Sequence, residues 1–333
     1  MENGAQVQER REKALYAGGV TFYGFILLVH FCWAISGPVT KMSYAGLGVS
    51  GTDVFELICF AGIRLLGAGV IGLSYCCARG VPLMPERGSD FWSLTKLGLI
   101  MGVAQYLFFN FGTALSSGVQ TSILSSSGAF CGILISALVF REALTLRKIT
   151  GCMLGVVAVV VLNWEDVRQG VAASLLGALL LILGQASGAA GAAYVKVISK
   201  GRNAIWVGGW QSVISGILLV VIGLCGGGAL SFRGEQSAAL LPTVVLVVTS
   251  GAALVFSNQL YKYNPLSKVM IFSLLSPVFG VFSSAVMLGD PLHPGAFASL
   301  VINCVGVALV TTEKPAGSAE RATPAVNGTR RNI

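Results

Sequence analysis

The stretch LLSPVFGVFSSAVMLGD (residues 274–290) sets a proline inside what otherwise reads as one apolar helix. An interior proline removes a helical hydrogen bond and crowds the preceding turn, so the position is costly. Upstream, SSSGAFCGILISALVFRE (residues 125–142) repeats the layout: a patch of small residues, an apolar body and a terminal acidic residue. A shift of 148 residues lays one on the other. Glu142 then meets Asp290, Gly132 meets Gly280, Ser136 and Ala137 meet Ser284 and Ala285, and Leu144 meets Leu292. Ser125 meets Ser273, and Val157 and Val159 meet Val305 and Val307. Apolar helices share letters easily, so this match gains force only from the topology of the whole chain.

Composition gives that topology. The 333 residues are 54% hydrophobic and 11% charged, with a mean hydropathy of +0.78. An ordinary soluble domain is about 25% charged, so this chain lacks the polar surface to cover itself in water. Residues 14–40, 169–195, 203–232, 236–261, 269–289 and 291–312 contain no Asp, Glu, Lys or Arg. The run 149–164 is short but flanked by Arg147 and Lys148, whose long side chains can reach a membrane surface. Residues 57–78 hold a single charge, Arg64, and the double-length run 97–140 breaks at Ser116 to Gly118. A helix of about 20 apolar residues crosses the hydrocarbon core with its backbone satisfied internally. The expectation is an all-α integral membrane protein with ten transmembrane helices.

The basic residues orient it. With the N-terminus cytoplasmic, all of the 22 Lys and Arg residues except Lys41, Arg64, Arg168 and Arg233 fall in inside segments, as the positive-inside rule asks. Both termini are then cytoplasmic. The net charge of +8 is accounted for by loops facing anionic lipid and needs no nucleic acid. Five spans per half is an odd number, so a second copy enters the membrane upside down. Residues 1–19 read as a charged cytoplasmic tail, 20–163 and 171–312 as two inverted five-helix repeats, and 313–333 as a disordered cytoplasmic tail. The first apolar run is long enough to remain as a helix. Inverted repeats around a midplane site are the architecture of many secondary transporters.

The residues that carry this pattern also resemble a known family. They are FCWAISGPVTK (31–41), FAGIRLLGAG (60–69), FFNFGTALSSGVQTSILSSSGAFCGILISALVFREALTLRKITGCMLGVVAVVVLN (108–163) and YNPLSKVMIFSLLSPVFGVFSSAVMLGDPLHPGAFASLVINCVGVALV (263–310). Together they resemble the drug/metabolite transporter superfamily, specifically its bacterial ten-helix EamA-type members. The resemblance implies export of a small polar metabolite, such as an amino acid, across the bacterial cytoplasmic membrane. Alternating access would carry it, with proton coupling or exchange open and the protein a monomer or homodimer. Asp290 stands where the family usually has glutamate. Ala129 stands where helix four usually has proline, so only helix nine is expected to kink.

Polar groups inside spans are the site candidates, because they are costly there. Arg64 is one, with Glu56 two turns away as its expected partner. His30 and Trp33 share a helix face one turn apart. Amides recur at mid-span: Gln105, Asn110, Gln185, Gln211, Asn258 and Gln259. Pro38 and Pro277 are the candidate kinks or gates, with Ser273 and Ser276 placed to satisfy the carbonyl that Pro277 frees. The spacings Gly98–Gly102, Gly151–Gly155, Gly184–Gly188 and Gly280–Ser284 read as close helix contacts.

Other classes find little support. The eight cysteines lie in apolar runs without CxxC spacing, giving no metal or disulfide framework. GLGVSG (46–51) matches a dinucleotide-loop pattern by letter, but no strand precedes it. A membrane-embedded enzyme would need clustered catalytic groups, and the two histidines, His30 and His293, are far apart. No cofactor is implied. A facilitative or exchange permease is the nearer alternative. The sequon NGT (327–329) falls on the expected cytoplasmic side.

Overall fold

A computed structural model describes residues 4–47, 53–85, 88–116, 121, 124–168, 175–228, 236–289 and 294–312. It is helical, with no strand among the described residues. The elements are α1 (Gly4–Tyr16), α2 (Gly19–Leu47), α3 (Val54–Ala78), α4 (Gly88–Leu97), a π-helical stretch (Gly98–Ala104) and α5 (Gln105–Ala114). Next come α6 (Ser127–Phe140), α7 (Leu146–Leu162), α8 (Trp164–Arg168), α9 (Leu175–Ile198), α10 (Ala204–Cys225) and α11 (Gln236–Tyr263). Last are α12 (Leu266–Met270), a 3-10 turn (Ile271–Leu274), α13 (Leu275–Leu288) and α14 (Pro294–Thr311).

Among the described residues, seven helical segments are long and apolar enough to cross a membrane: α2, α3, α4 to α5, α9, α10, α11 and α12 to α13. Three of the ten expected spans are shorter. α6 has 14 residues, α7 has 17 and α14 has 18, the first cut short by a turn at Ser126. At about 1.5 Å per residue all three fall short of the roughly 30 Å hydrocarbon core, α6 by the most. Asp290, most of the loop 46–51, the break at 117–118 and the tail 313–333 lie outside the described residues.

Glycine decides how the helices meet. α3 lies along α10, and Gly62, Gly69 and Gly72 approach the backbone of Gly209 and Gly216, with Val213 and Val220 side chains beside them. α2 packs on α11 and α13, α9 on α5 and α6, and α7 on α14. The expected contacts at Gly98, Gly102, Gly151, Gly155, Gly184 and Gly188 are close ones, whereas a Cβ on Gly280 would meet nothing nearer than the Ala34 carbonyl at 4.0 Å.

The charged N-terminal segment is helical over Gly4–Tyr16. Tyr263 donates its hydroxyl to Glu12 at 3.0 Å, Lys262 pairs with Glu9 at 3.8 Å, and the Asn264 amide donates to the Tyr16 carbonyl at 2.8 Å. These contacts join a polar network at one end of the bundle. Lys262 also donates to the Arg202 carbonyl at 2.9 Å, and Arg202 pairs with Asp90. Glu142 is its centre. Its carboxylate accepts from the Leu266 amide at 3.1 Å and from the Ser267 hydroxyl, and it lies 3.7 Å from Lys148 and 3.8 Å from Lys196. It therefore caps the N-terminus of α12 from across the molecule, where a negative charge suits the helix dipole.

Burial raises the Glu142 carboxyl, but the Ser267 hydrogen bond and the charges of Lys196 and Lys148 outweigh it and hold it below its ordinary 4.5. A depressed folded-state value adds stability above the unfolded value, and that stability is lost as pH falls through the folded one. Glu142→Gln is expected to lower stability at neutral pH by about 2 kcal/mol, the scale of hydrogen bonds to a charged group. It should also flatten the drop in melting temperature below about pH 5. Thermal unfolding in detergent across that range checks both.

Candidate functional site

Between the helices lies a cavity of about 450 Å³, within the range of small-molecule sites. α2 contributes His30 and Trp33, one turn apart on the same face. The π-helical stretch brings in Met101, and α5 adds Gln105, Tyr106 and Phe109. From the other half of the chain, α9 brings Gln185 and Gly188, α10 brings Gln211, and α11 brings Leu254, Ser257, Asn258 and Tyr261. The 3-10 turn and α13 close the wall with Ser273, Ser276 and Pro277.

Pro277 sits in the first turn of α13, directly after the 3-10 segment, so the span changes helical type just ahead of it. A proline there has no N–H to donate back to the Ser273 carbonyl of the preceding turn. The two serines have other roles than satisfying the freed carbonyl. Ser273 donates to the Met270 carbonyl at 2.7 Å, and Ser276 Oγ shares a 3.0 Å hydrogen bond with His30 Nδ1. That bond ties the cavity face of α2 to the start of α13. A break also falls at Ser126, the equivalent of Leu274 in the shifted alignment, although Ala129 replaces proline there. Helix nine is thus not alone in being interrupted.

The amides are held differently. Gln211 is buried, donating to Ser215 Oγ at 3.1 Å and accepting from Ser212 Oγ at 3.3 Å. Asn258 is buried against Gly208, its amide 3.5 Å from the Ala204 carbonyl. Gln105 has room because of Gly188, where a Cβ would lie 2.8 Å from its Nε2. Ser215 also donates to the Gly98 carbonyl at 3.0 Å, inside the π-helical stretch, a feature often found at functional sites.

Of the residues singled out in the sequence, His30, Trp33, Gln105, Gln185, Gln211, Asn258 and Pro277 line the cavity. Arg64 stands behind it. Its Nε donates to Ser250 Oγ at 2.7 Å, and its guanidinium lies 5.4 Å from the Trp33 ring centroid, so Ser250 and Trp33 take the place expected for Glu56. Asn110 donates to the Tyr106 carbonyl of its own helix at 2.7 Å. Pro38 lies in α2, two turns past His30, away from the wall. Gln259 lines a different cavity. The sequence reading missed Tyr106, Phe109, Ser257 and Tyr261. Phe109 lies four residues after Gln105 and Tyr261 three after Asn258, spacings that share a helix face.

Among the described lining residues there is no Asp, Glu, Lys or Arg. Amides, hydroxyls, an imidazole and aromatic rings offer hydrogen bonds in both directions without fixed charge. The EamA-like transporter family matches the chain twice, over residues 21–164 and 175–312. The chain belongs to the EamA-like transporter family. Among curated relatives, a probable amino-acid metabolite efflux pump of Escherichia coli strain K12 is 25% identical over 294 residues. That alignment covers 84% of this chain and 91% of the relative. An uncharacterized transporter of Methanothermobacter thermautotrophicus is 23% identical over 227 residues, covering 66% of this chain and 64% of that protein's length. One solved crystal structure of a protein superposes with a TM-score of 0.69 at 16% identity, covering 86% of this chain and 95% of the other. At that identity the likeness concerns the fold. The EamA-like family places the protein in a membrane and gives it a transport role.

Proposed function

We propose that the chain is a secondary transporter that exports a small solute without net charge, an amino acid or a related metabolite, by alternating access. The observation that carries this reading is a cavity shared by the two halves of the chain, in which amides, hydroxyls and one imidazole are set among apolar side chains such as Leu65, Met101 and Leu254, without a charged residue among the described lining. A zwitterion has no net charge to balance, so amides and hydroxyls can bind both its ends. The name of the Escherichia coli relative points to the same solute class and to outward transport.

The proposed architecture is ten spans in two inverted five-helix repeats, 20–163 and 171–312, with both termini in the cytoplasm of a bacterial cell. Two observations support it. The family match falls once in each half. The packing also maps onto itself when each helix is exchanged for its counterpart. α3 meets its own counterpart α10, and α7 meets its counterpart α14. The contact of α2 with α11 is mirrored by that of α9 with α5, and the contact of α2 with α13 by that of α9 with α6. Two such halves can rock about a shared pocket.

Proteoliposomes preloaded with one neutral amino acid and offered another should show saturable counterflow. Flux of charged solutes alone would overturn the reading. His30 is the one histidine on the described wall, and no carboxylate lines it, which favours exchange or facilitated movement over proton coupling. Transport is accordingly expected to continue without a pH gradient. If a gradient does drive it, His30→Gln should remove that dependence and leave counterflow intact.

A further inference from the structure

A second cavity, about 530 Å³, lies at the end of the bundle covered by α1. Arg11, Glu12, Leu15 and Tyr16 of α1 form its roof. Tyr75 and Cys76 at the end of α3, with Arg79 just beyond it, form one wall. Asn203 and Ile205 at the start of α10, and Gln259 of α11, complete it. Gln259 is 1% exposed, and its Oε1 has no hydrogen-bond partner. A buried acceptor without a donor costs about 1–3 kcal/mol, so it calls for a ligand or an explanation.

The charges around it are asymmetric. Arg79 stacks on the Tyr75 ring at 5.5 Å, and its Nε and Nη2 lie 3.3 and 3.2 Å from the Tyr75 hydroxyl. Neither Arg79 nor Arg11 has a carboxylate within ion-pair distance among the described residues. The carboxylate in the lining, Glu12, accepts from Tyr263. The Asn203 side-chain oxygen is committed to capping α10 through the amides of Ile205 and Trp206, which leaves its NH2 to donate. The site thus offers two guanidiniums and an amide donor around a deep, unfilled acceptor. A guanidinium fork suits phosphate oxygens. The roof helix carries Arg10, Arg11 and Lys13 alongside Glu9 and Glu12, a small net positive charge.

We propose that this cavity holds a phosphate group bearing a short hydrogen-bond-donor arm, with the phosphate on Arg11 and Arg79 and the hydroxyl or ammonium arm on Gln259. The source is a membrane phospholipid head group or a free phosphate compound of the same chemistry. Neither depends on the solute carried by the central cavity. Bound there, the ligand would tie α1 to the ends of α3 and α10.

The test uses the full chain purified in detergent, with lipid retention read by native mass spectrometry and stability by thermal unfolding. Phosphatidylglycerol, phosphatidylcholine and glycerol 3-phosphate are the probes. Phosphatidylglycerol should be retained and raise the melting temperature, and phosphatidylcholine, which lacks a donor arm, should do so less. Arg79→Gln, at an exposed position that does not threaten folding, should weaken retention about tenfold, the scale of one charge-assisted contact. Gln259→Leu should erase the preference for phosphatidylglycerol over phosphatidylcholine. Equal stabilisation by glycerol 3-phosphate assigns the site to a soluble ligand and supports the same chemistry. The proposal is overturned if none of the three is retained, or if Arg79→Gln binds as the unaltered chain does.

Discussion

Gly216→Val is expected to yield little or no folded protein. A Cβ on Gly216 would lie 2.6 Å from the Leu66 amide nitrogen and 2.8 Å from the Gly62 carbonyl oxygen. Both are backbone atoms within a helix and cannot step aside as a flexible side chain can. The contact is one of a series. A Cβ on Gly62 would lie 2.7 Å from the Val220 nitrogen, one on Gly69 would lie 2.8 Å from the Gly209 oxygen, and one on Gly223 would lie 2.8 Å from the Cys59 nitrogen. Gly209, Gly216 and Gly223 recur every seven residues, about two turns, and so form a stripe on one face of α10. Forcing this seam apart would lose its van der Waals contact along much of α3 and α10. Overpacking typically costs about 1–3 kcal/mol, and a backbone clash belongs at or above that range. Total stability is only about 5–15 kcal/mol.

The check is the yield and monodispersity of purified Gly216→Val beside Gly24→Ala. A Cβ on Gly24, in α2, would meet nothing within 4 Å, so alanine there should be neutral or favourable by up to about 1 kcal/mol. If the two variants purified and melted alike, the close approach of α3 and α10 would be wrong.

That seam was open to reading in the sequence and was missed. The spacings noted were four-residue ones, whereas the tightest approach uses a seven-residue interval. What composition carried well was the class: long charge-free runs dictate membrane helices, because nothing else satisfies a backbone in lipid. It carried length less well. Residues 125–140 look like one helix by hydropathy, but the turn at Ser126 leaves α6 with 14 residues. Hydropathy measures burial and does not register where hydrogen bonding changes from one helical type to another. For the same reason the π-helical stretch at Gly98–Ala104 left no trace in the pattern, and the 3-10 turn at Ile271–Leu274 was marked only by the proline that follows it.

The site was legible by residue type and illegible by direction. Mid-span amides were worth noting because a buried amide needs partners. Whether such a partner is the helix itself, as for Asn110, or an open cavity, as for Gln185, depends on rotation about the helix axis. Neighbouring residues can face different spaces: Asn258 lines the central cavity and Gln259 the one beneath α1. Arg64, the most conspicuous charge in the sequence, lies beside Trp33 and Ser250 and is not among the cavity's lining residues.

Ser257→Phe is expected to reduce transport to the level of protein-free vesicles while leaving the protein folded. Ser257 is buried in α11 and lines the central cavity between Leu254 and Asn258 on one side and Tyr261 on the other. A phenyl ring at 257 would project into a space of about 450 Å³ and take room that a solute and its rotation need. Because the ring fills a void rather than a packed layer, its cost to the fold should stay below the 1–3 kcal/mol usual for overpacking. Ser299→Phe makes the contrast. Ser299 is 0% exposed in α14 and borders neither cavity, so the same ring there must displace packed atoms and should lower the melting temperature sharply. Counterflow and melting curves for the two variants separate a blocked path from a damaged fold. Full counterflow in Ser257→Phe would mean that the solute crosses elsewhere in the bundle, and the assignment of the central cavity would fall with it.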